Sequence, residues 1–140
     1  MIARNIKPPV VLLTLAVLLL SGCAGTPASR DEIVRERAEQ RWEAIFAKDY
    51  ARAYEFYSPG YRTKYTATDL EIAIRLQKVR WTSASYSGQE CEEKTCKVRF
   101  TLNYRVAAPV PGVDVYDGFN SIEEQWILTN GKWWYVPVNP

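Results

Sequence analysis

In the stretch KVRFTLNYRV, residues 97–106, apolar and polar side chains alternate without a break. The apolar set, which would share one face of a strand, is Val98, Phe100, Leu102, Tyr104 and Val106. Strict alternation is typical of an antiparallel sheet with one face on a core and the other in water. We therefore expect residues 97–106 to be a strand of such a sheet.

The flanking segments extend this sheet. Upstream, WTSASYSGQ (residues 81–89) predicts another strand, and downstream FNSIEEQWILTNGKWWYVPV (119–138) predicts two strands around an Asn130–Gly131 turn. APVPGVDVYDG, residues 108–118, contains two prolines and two glycines and predicts a loop between strands. The sequence thus indicates a mostly antiparallel sheet of about four strands.

Three helix starts precede the strands. Ser29 and Glu32 fit a capping box, Asp49 fits an N-cap, and Thr68 with Glu71 fits a second capping box. Three helices followed by about four strands predict an α+β domain over residues 30–140.

The N-terminus has the order of a secretory signal: basic residues, a short apolar run and small residues. Leu20-Ser21-Gly22-Cys23 resembles the lipobox of bacterial lipoproteins. This resemblance implies that residues 1–22 are a cleaved signal peptide and that Cys23 is acylated, with residues 23–29 as a short tether. Ala24, rather than Asp, follows the cysteine, which favours the periplasmic side of the outer membrane in a Gram-negative host. The acyl chains would anchor the protein in the lipid bilayer.

Cys91 and Cys96 are predicted to form a disulfide, because an exported protein meets an oxidising compartment. The bond closes a short loop and is expected to contribute about 2 kcal/mol. A metal site or a redox pair are the alternatives. The first would need more ligands, and the second usually has a Cys-x-x-Cys spacing.

Composition excludes several classes of function. The chain has 18 basic and 16 acidic residues, and this balance argues against a nucleic-acid partner. It has no histidine, the commonest general base and metal ligand, so we expect no enzyme, no metal and no cofactor. Asp49, Asp69 or Glu55 with a tyrosine are the remaining candidates for acid–base chemistry.

Two further stretches, AEQRWEAIFAKDYARAYEFYSPGYR (38–62) and EEQWILTNGKWWYVP (123–137), resemble the NTF2-like, or cystatin-like, superfamily. The resemblance implies a cone, in which helices wrap into the concave face of a bent sheet. It is nearly silent on function, because this fold carries many activities.

Two functional hypotheses follow. The first is an accessory component of the cell envelope with a protein partner or a second copy, for which Asp114, Tyr116 and Asp117 in the 108–118 segment are an interaction loop. The second is a binder of small apolar ligands. Its cavity would be lined by aromatic side chains that could equally be core: Tyr54, Tyr57, Tyr61, Tyr65, Trp81, Trp126 and Trp133.

Overall fold

The structure is a computed structural model that describes residues 28–138. Within this range, four helices precede four strands. The helices are α1 (Arg30–Phe46), α2 (Tyr50–Tyr54), α3 (Pro59–Arg62) and α4 (Ala67–Arg75). The strands are β1 (Arg80–Cys91), β2 (Thr95–Val110), β3 (Val113–Thr129) and β4 (Lys132–Val136). The strands form one antiparallel sheet in the order β1-β2-β3-β4, so the predicted α+β class is confirmed.

The alternation in β2 divides the sheet into two faces. Val98, Phe100 and Leu102 are buried on the face that the helices cover, which we call the covered face. The opposite face, which we call the bare face, carries Lys97 and Arg99, and these lie opposite Gln125 and Glu123 in the register of β2 with β3. Both halves of the predicted pattern are therefore present.

The helix starts agree with the sequence at two of three places. Ser29 Oγ accepts from the Glu32 backbone N–H at 3.2 Å, and Asp49 caps α2. The third prediction was wrong by two residues: Thr66, not Thr68, caps α4, and Asp69 completes its capping box. The predicted number of helices was also too small, because the sequence analysis included no helix start for α3, which is capped by Ser58 and begins at Pro59.

Residues 108–118 are not the predicted loop. They belong to the end of β2, the turn at Pro111 and Gly112, and the start of β3, which together form the tip of the β2–β3 hairpin. The register shifts between Ala107 and Val110. The prolines therefore fall at a bulge and a turn, where a missing backbone N–H breaks no ladder hydrogen bond.

The core lies between the helices and the covered face. Its largest fully buried side chains include Trp126 and Phe100. The outer edge of β4 is closed by the segment after α2, since Tyr135 N donates to Phe56 O at 2.8 Å and Ser58 N donates to Tyr135 O at 2.8 Å. This closure protects part of an edge strand that would otherwise be free to pair.

The Cys91–Cys96 disulfide is present, and the two cysteines are directly paired where β1 and β2 meet. The predicted signal peptide, Cys23 and most of the tether lie outside the described residues. In residues 28–138, no helix is long and apolar enough to cross a membrane.

Candidate functional site: an aromatic cavity above a buried ion pair

A cavity of about 970 Å³ lies between α1, α4 and the covered face of the sheet. It is open to solvent on one side, and its wall is more apolar than polar. Seven aromatic side chains on the helices and on the covered face contribute to it: Trp42, Tyr57, Tyr61, Trp81, Tyr104, Tyr116 and Tyr135. Its wall extends along the far half of β2 and β3, where Tyr104 and Tyr116 line it.

Three of the seven aromatic residues that the sequence offered as a cavity lining line this space. Tyr57, Tyr61 and Trp81 are in its wall. Trp126 and Trp133 belong to the core instead, with 0% and 4% of their surface exposed. The sequence could not distinguish core residues from cavity-wall residues by their aromatic character, because the core and the cavity wall are both apolar.

Tyr54 and Tyr65 do not line the cavity either. The Tyr54 hydroxyl donates to the Tyr65 backbone oxygen at 2.7 Å. This bond links α2 to the segment before α4, so Tyr54 holds the helices that border the cavity.

The floor of the cavity is an ion pair, Arg41–Glu124, that the sequence analysis missed. Only 3% of Arg41 and 2% of Glu124 are exposed. The Arg41 guanidinium donates to the Glu124 carboxylate and, at 3.3 Å, to the Tyr57 hydroxyl. The Glu124 carboxylate also accepts from the indole N–H groups of Trp42 at 2.8 Å and Trp126 at 3.1 Å. A buried charge needs such partners, and both charges here have them.

Aromatic rings enclose the Arg41 guanidinium. Its Cζ lies 4.1 Å from the ring centre of Tyr135 and 4.7 Å from that of Trp42. Burial has the largest single effect on Arg41 and lowers its pKa, but Glu124, Tyr57 and Tyr135 together raise it by more, so the pKa of Arg41 is raised. Arg41 therefore keeps its positive charge beside the Glu124 carboxylate.

The phenols around this pair are neutral at physiological pH. Burial raises the pKa of Tyr135 to about 12 and that of Tyr61 to about 12. Burial also raises the pKa of Tyr57. An aromatic wall with neutral hydroxyls over a neutralised ion pair suits a ligand with little net charge.

A signal for the ion pair was present in the sequence. Glu124 lies in phase with Ile122 and Trp126, so strand periodicity alone puts its carboxylate on the covered face. Arg41 lies in phase with Ala38 and Ile45 on the buried side of α1. Two opposite charges at buried positions indicate that they pair.

The residues predicted for the interaction loop are not brought together. Tyr116 lines the cavity, whereas Asp117 accepts two bonds from Arg105, at 2.7 and 2.9 Å, on the bare face. Asp114 is exposed on β3. Among residues 28–138, no group of three or more His, Cys, Asp or Glu could hold a metal ion.

The candidate acids act as helix caps. Asp49 accepts from the Arg52 backbone N–H at 3.1 Å, and Asp69 accepts from the Thr66 backbone N–H at 2.7 Å. The bond from Thr66 lowers the pKa of Asp69. Glu55 is exposed at the end of α2.

No protein-family model and no curated protein matches the chain. Solved structures that share the fold include two SEC-C motif containing proteins. The solution structure of a SEC-C motif containing protein from Rhodopseudomonas palustris is 15% identical with a TM-score of 0.55, over 78% of this chain and 76% of that one. The crystal structure of a SEC-C motif containing protein from Psychrobacter arcticus is 9% identical with a TM-score of 0.55, over 79% of this chain and 62% of that one. At these identities the likeness shows the fold alone.

Proposed function

We propose that this domain binds a small, largely apolar molecule in the aromatic cavity, and that Cys23 anchors it in the bacterial cell envelope as a lipoprotein. The observation that carries the proposal is the open cavity of about 970 Å³. This volume falls in the range of about 300–1,000 Å³ that ligand sites occupy.

The chemistry of the wall supports this function. Most of the cavity surface is apolar, and its few polar groups include phenol hydroxyls, Asn120 and Gln77. Lys78 also lines the cavity, and it forms no salt bridge with a carboxylate among the described residues. A cavity behind a helix-covered sheet also fits the NTF2-like cone, which remains our proposal for the finer fold.

The direct test is titration of the full-length protein with N-phenyl-1-naphthylamine, an uncharged dye that fluoresces in apolar surroundings. Saturable binding is expected, together with a rise in melting temperature, since a ligand at about 100 times its Kd stabilises the folded state by about 2.7 kcal/mol. Ala73→Trp puts an indole at the cavity wall and should weaken binding at least tenfold.

Ala51→Trp is the matched control, because Ala51 is an exposed alanine on α2 that does not line the cavity. It should bind the dye as the unmodified protein does. Equal loss in both variants, or no saturable binding to the unmodified protein, would contradict the proposal.

A second candidate is the accessory role with an envelope partner or a second copy. One observation favours it: the far end of the β2–β3 hairpin exposes Val110, Val115 and Phe119, the last at 74%. A photo-cross-linking residue at position 119, tested in intact cells against one at exposed Ser85, should give a specific adduct of defined mass. Adducts at neither position, or at both alike, would remove this candidate.

A further inference from the structure

A second site lies at the outer edge of the sheet, apart from the cavity. Three cationic groups surround the indole of Trp134 on β4. Lys132 Nζ lies 4.6 Å from the centre of this ring, Arg62 Cζ 4.8 Å and Arg37 Cζ 5.9 Å. We call these four residues the Trp134 cluster.

No side-chain carboxylate neutralises the Trp134 cluster. All 16 Asp and Glu side chains of the chain fall within the described residues, and none forms a salt bridge with Arg37, Arg62 or Lys132. Because the three cations share one ring, any two are roughly 10 Å apart or closer, a separation comparable to the Debye length at physiological salt. Their mutual repulsion is therefore only partly screened.

The hydrogen-bonding groups of the cluster are also incompletely used. Arg37 Nε donates to the Trp133 backbone oxygen at 2.8 Å, which fixes this side chain across the edge of β4. Arg62 Nε is buried and has no partner among the described residues. Arg37 and Arg62 as whole residues are only half-buried, and a guanidinium group presents forked N–H donors that match an acceptor with several oxygens.

We infer that the Trp134 cluster binds a phosphate group, either free or in an anionic lipid headgroup. A phosphate carries enough negative charge to offset the cluster, and its oxygens match the forked donors of arginine. A half-buried tryptophan beside basic residues is also typical of protein surfaces that meet a bilayer interface. This inference does not depend on the cavity ligand.

Calorimetric titration of the full-length protein at constant ionic strength tests it, with inorganic phosphate and with dioctanoyl-phosphatidylglycerol in separate arms and dioctanoylglycerol as the phosphate-free control. Binding of both inorganic phosphate and dioctanoyl-phosphatidylglycerol would show that the cluster recognises the phosphate group that they share. Binding of the lipid alone assigns the headgroup, and binding of inorganic phosphate alone assigns the free ion. Each of these three results supports the inference, provided that dioctanoylglycerol binds at least tenfold more weakly.

The double variant Arg62→Gln/Lys132→Gln should weaken binding at least tenfold. Arg80→Gln/Arg105→Gln removes the same charge from two facing positions of β1 and β2, away from β4, and should leave binding within twofold. Equal loss in the two double variants would show a non-specific effect of net charge, and absence of binding in both phosphate arms would show that no site exists. Either result overturns the inference, and neither bears on dye binding in the cavity.

Discussion

Gly118 shows how one residue shapes the cavity wall. It lies directly opposite Tyr104 in the β2–β3 pair, and an added Cβ would come within 2.7 Å of the Tyr104 hydroxyl oxygen. The absent side chain lets the Tyr104 ring lie across the neighbouring strand. A close approach of this kind requires glycine even though its φ angle is ordinary.

Gly118→Ala is therefore expected to displace the Tyr104 ring and to lower the free energy of unfolding by about 1–3 kcal/mol, the usual cost of overpacking. Urea denaturation measures it. Gly60→Ala is the control, because nothing lies within 4 Å of an added Cβ there. On α3 that change should leave stability unchanged or raise it by up to about 1 kcal/mol. The same loss in both variants would contradict the role given to Gly118.

Substitutions of Glu124 and of its neighbour Glu123 test how much the buried Arg41–Glu124 pair contributes to stability. Glu124→Leu leaves the Arg41 charge and the indole N–H groups of Trp42 and Trp126 without their acceptor. Loss of one partner of a buried pair should lower the free energy of unfolding by about 3–5 kcal/mol. Glu123→Leu removes only an exposed partner of Lys97 and should change stability by less than about 1 kcal/mol. Similar effects of the two changes would show that the Arg41–Glu124 pair does not hold the core.

At the scale of elements, local pattern does not settle where α4 begins. Thr68 with Glu71 fits the capping-box sequence, whereas the structure forms the capping box with Thr66 and Asp69. The choice is made by tertiary structure, because the Tyr54 hydroxyl binds the Tyr65 backbone oxygen and fixes the residue just before Thr66.

Replacing each threonine in turn by alanine distinguishes a helix start at Thr66 from one at Thr68. Thr66→Ala should lower the free energy of unfolding by about 1 kcal/mol, since its hydroxyl accepts from the Asp69 backbone N–H at 3.2 Å. Thr68→Ala changes an exposed residue inside the helix and should be neutral or slightly stabilising. Thermal melts followed by circular dichroism measure both, and the reverse order of effects would show that the helix begins later.

The strands were predictable because their signals are local. The alternation of β2, the Asn130–Gly131 turn and the Cys91–Cys96 pairing each depend on residues close together in the chain. The hairpin at residues 108–118 was not predictable in this way, because its prolines break the pattern without breaking the pairing. The cavity depends on the lengths and packing of α1, α4 and the sheet together, so only three of the seven aromatic residues predicted to line it, Tyr57, Tyr61 and Trp81, do so.

At the scale of the whole molecule, the proposed lipid anchor on Cys23 would hold the cavity close to a membrane. The sequence predicts that acyl chains on Cys23 hold the domain at a membrane, and each buried methylene contributes about 0.8 kcal/mol. Cys23→Ser should therefore lose the acyl mass and move the protein out of the membrane fraction. Cys91→Ser/Cys96→Ser is the control, because it removes the disulfide and leaves Cys23. An unmodified mass for Cys23 in the native protein would overturn the lipoprotein proposal.

The most direct measurement of the central claim, that the cavity holds a small apolar molecule, is native mass spectrometry of the mature protein isolated gently from its own cells. We predict a non-covalent mass increment of one small molecule, which is absent from Ala73→Trp and retained by Ala51→Trp. The increment should be released when N-phenyl-1-naphthylamine is added. A bare protein mass in all three proteins, with no dye binding, would contradict the claim and leave the Trp134 cluster and the β2–β3 hairpin as the remaining candidate sites.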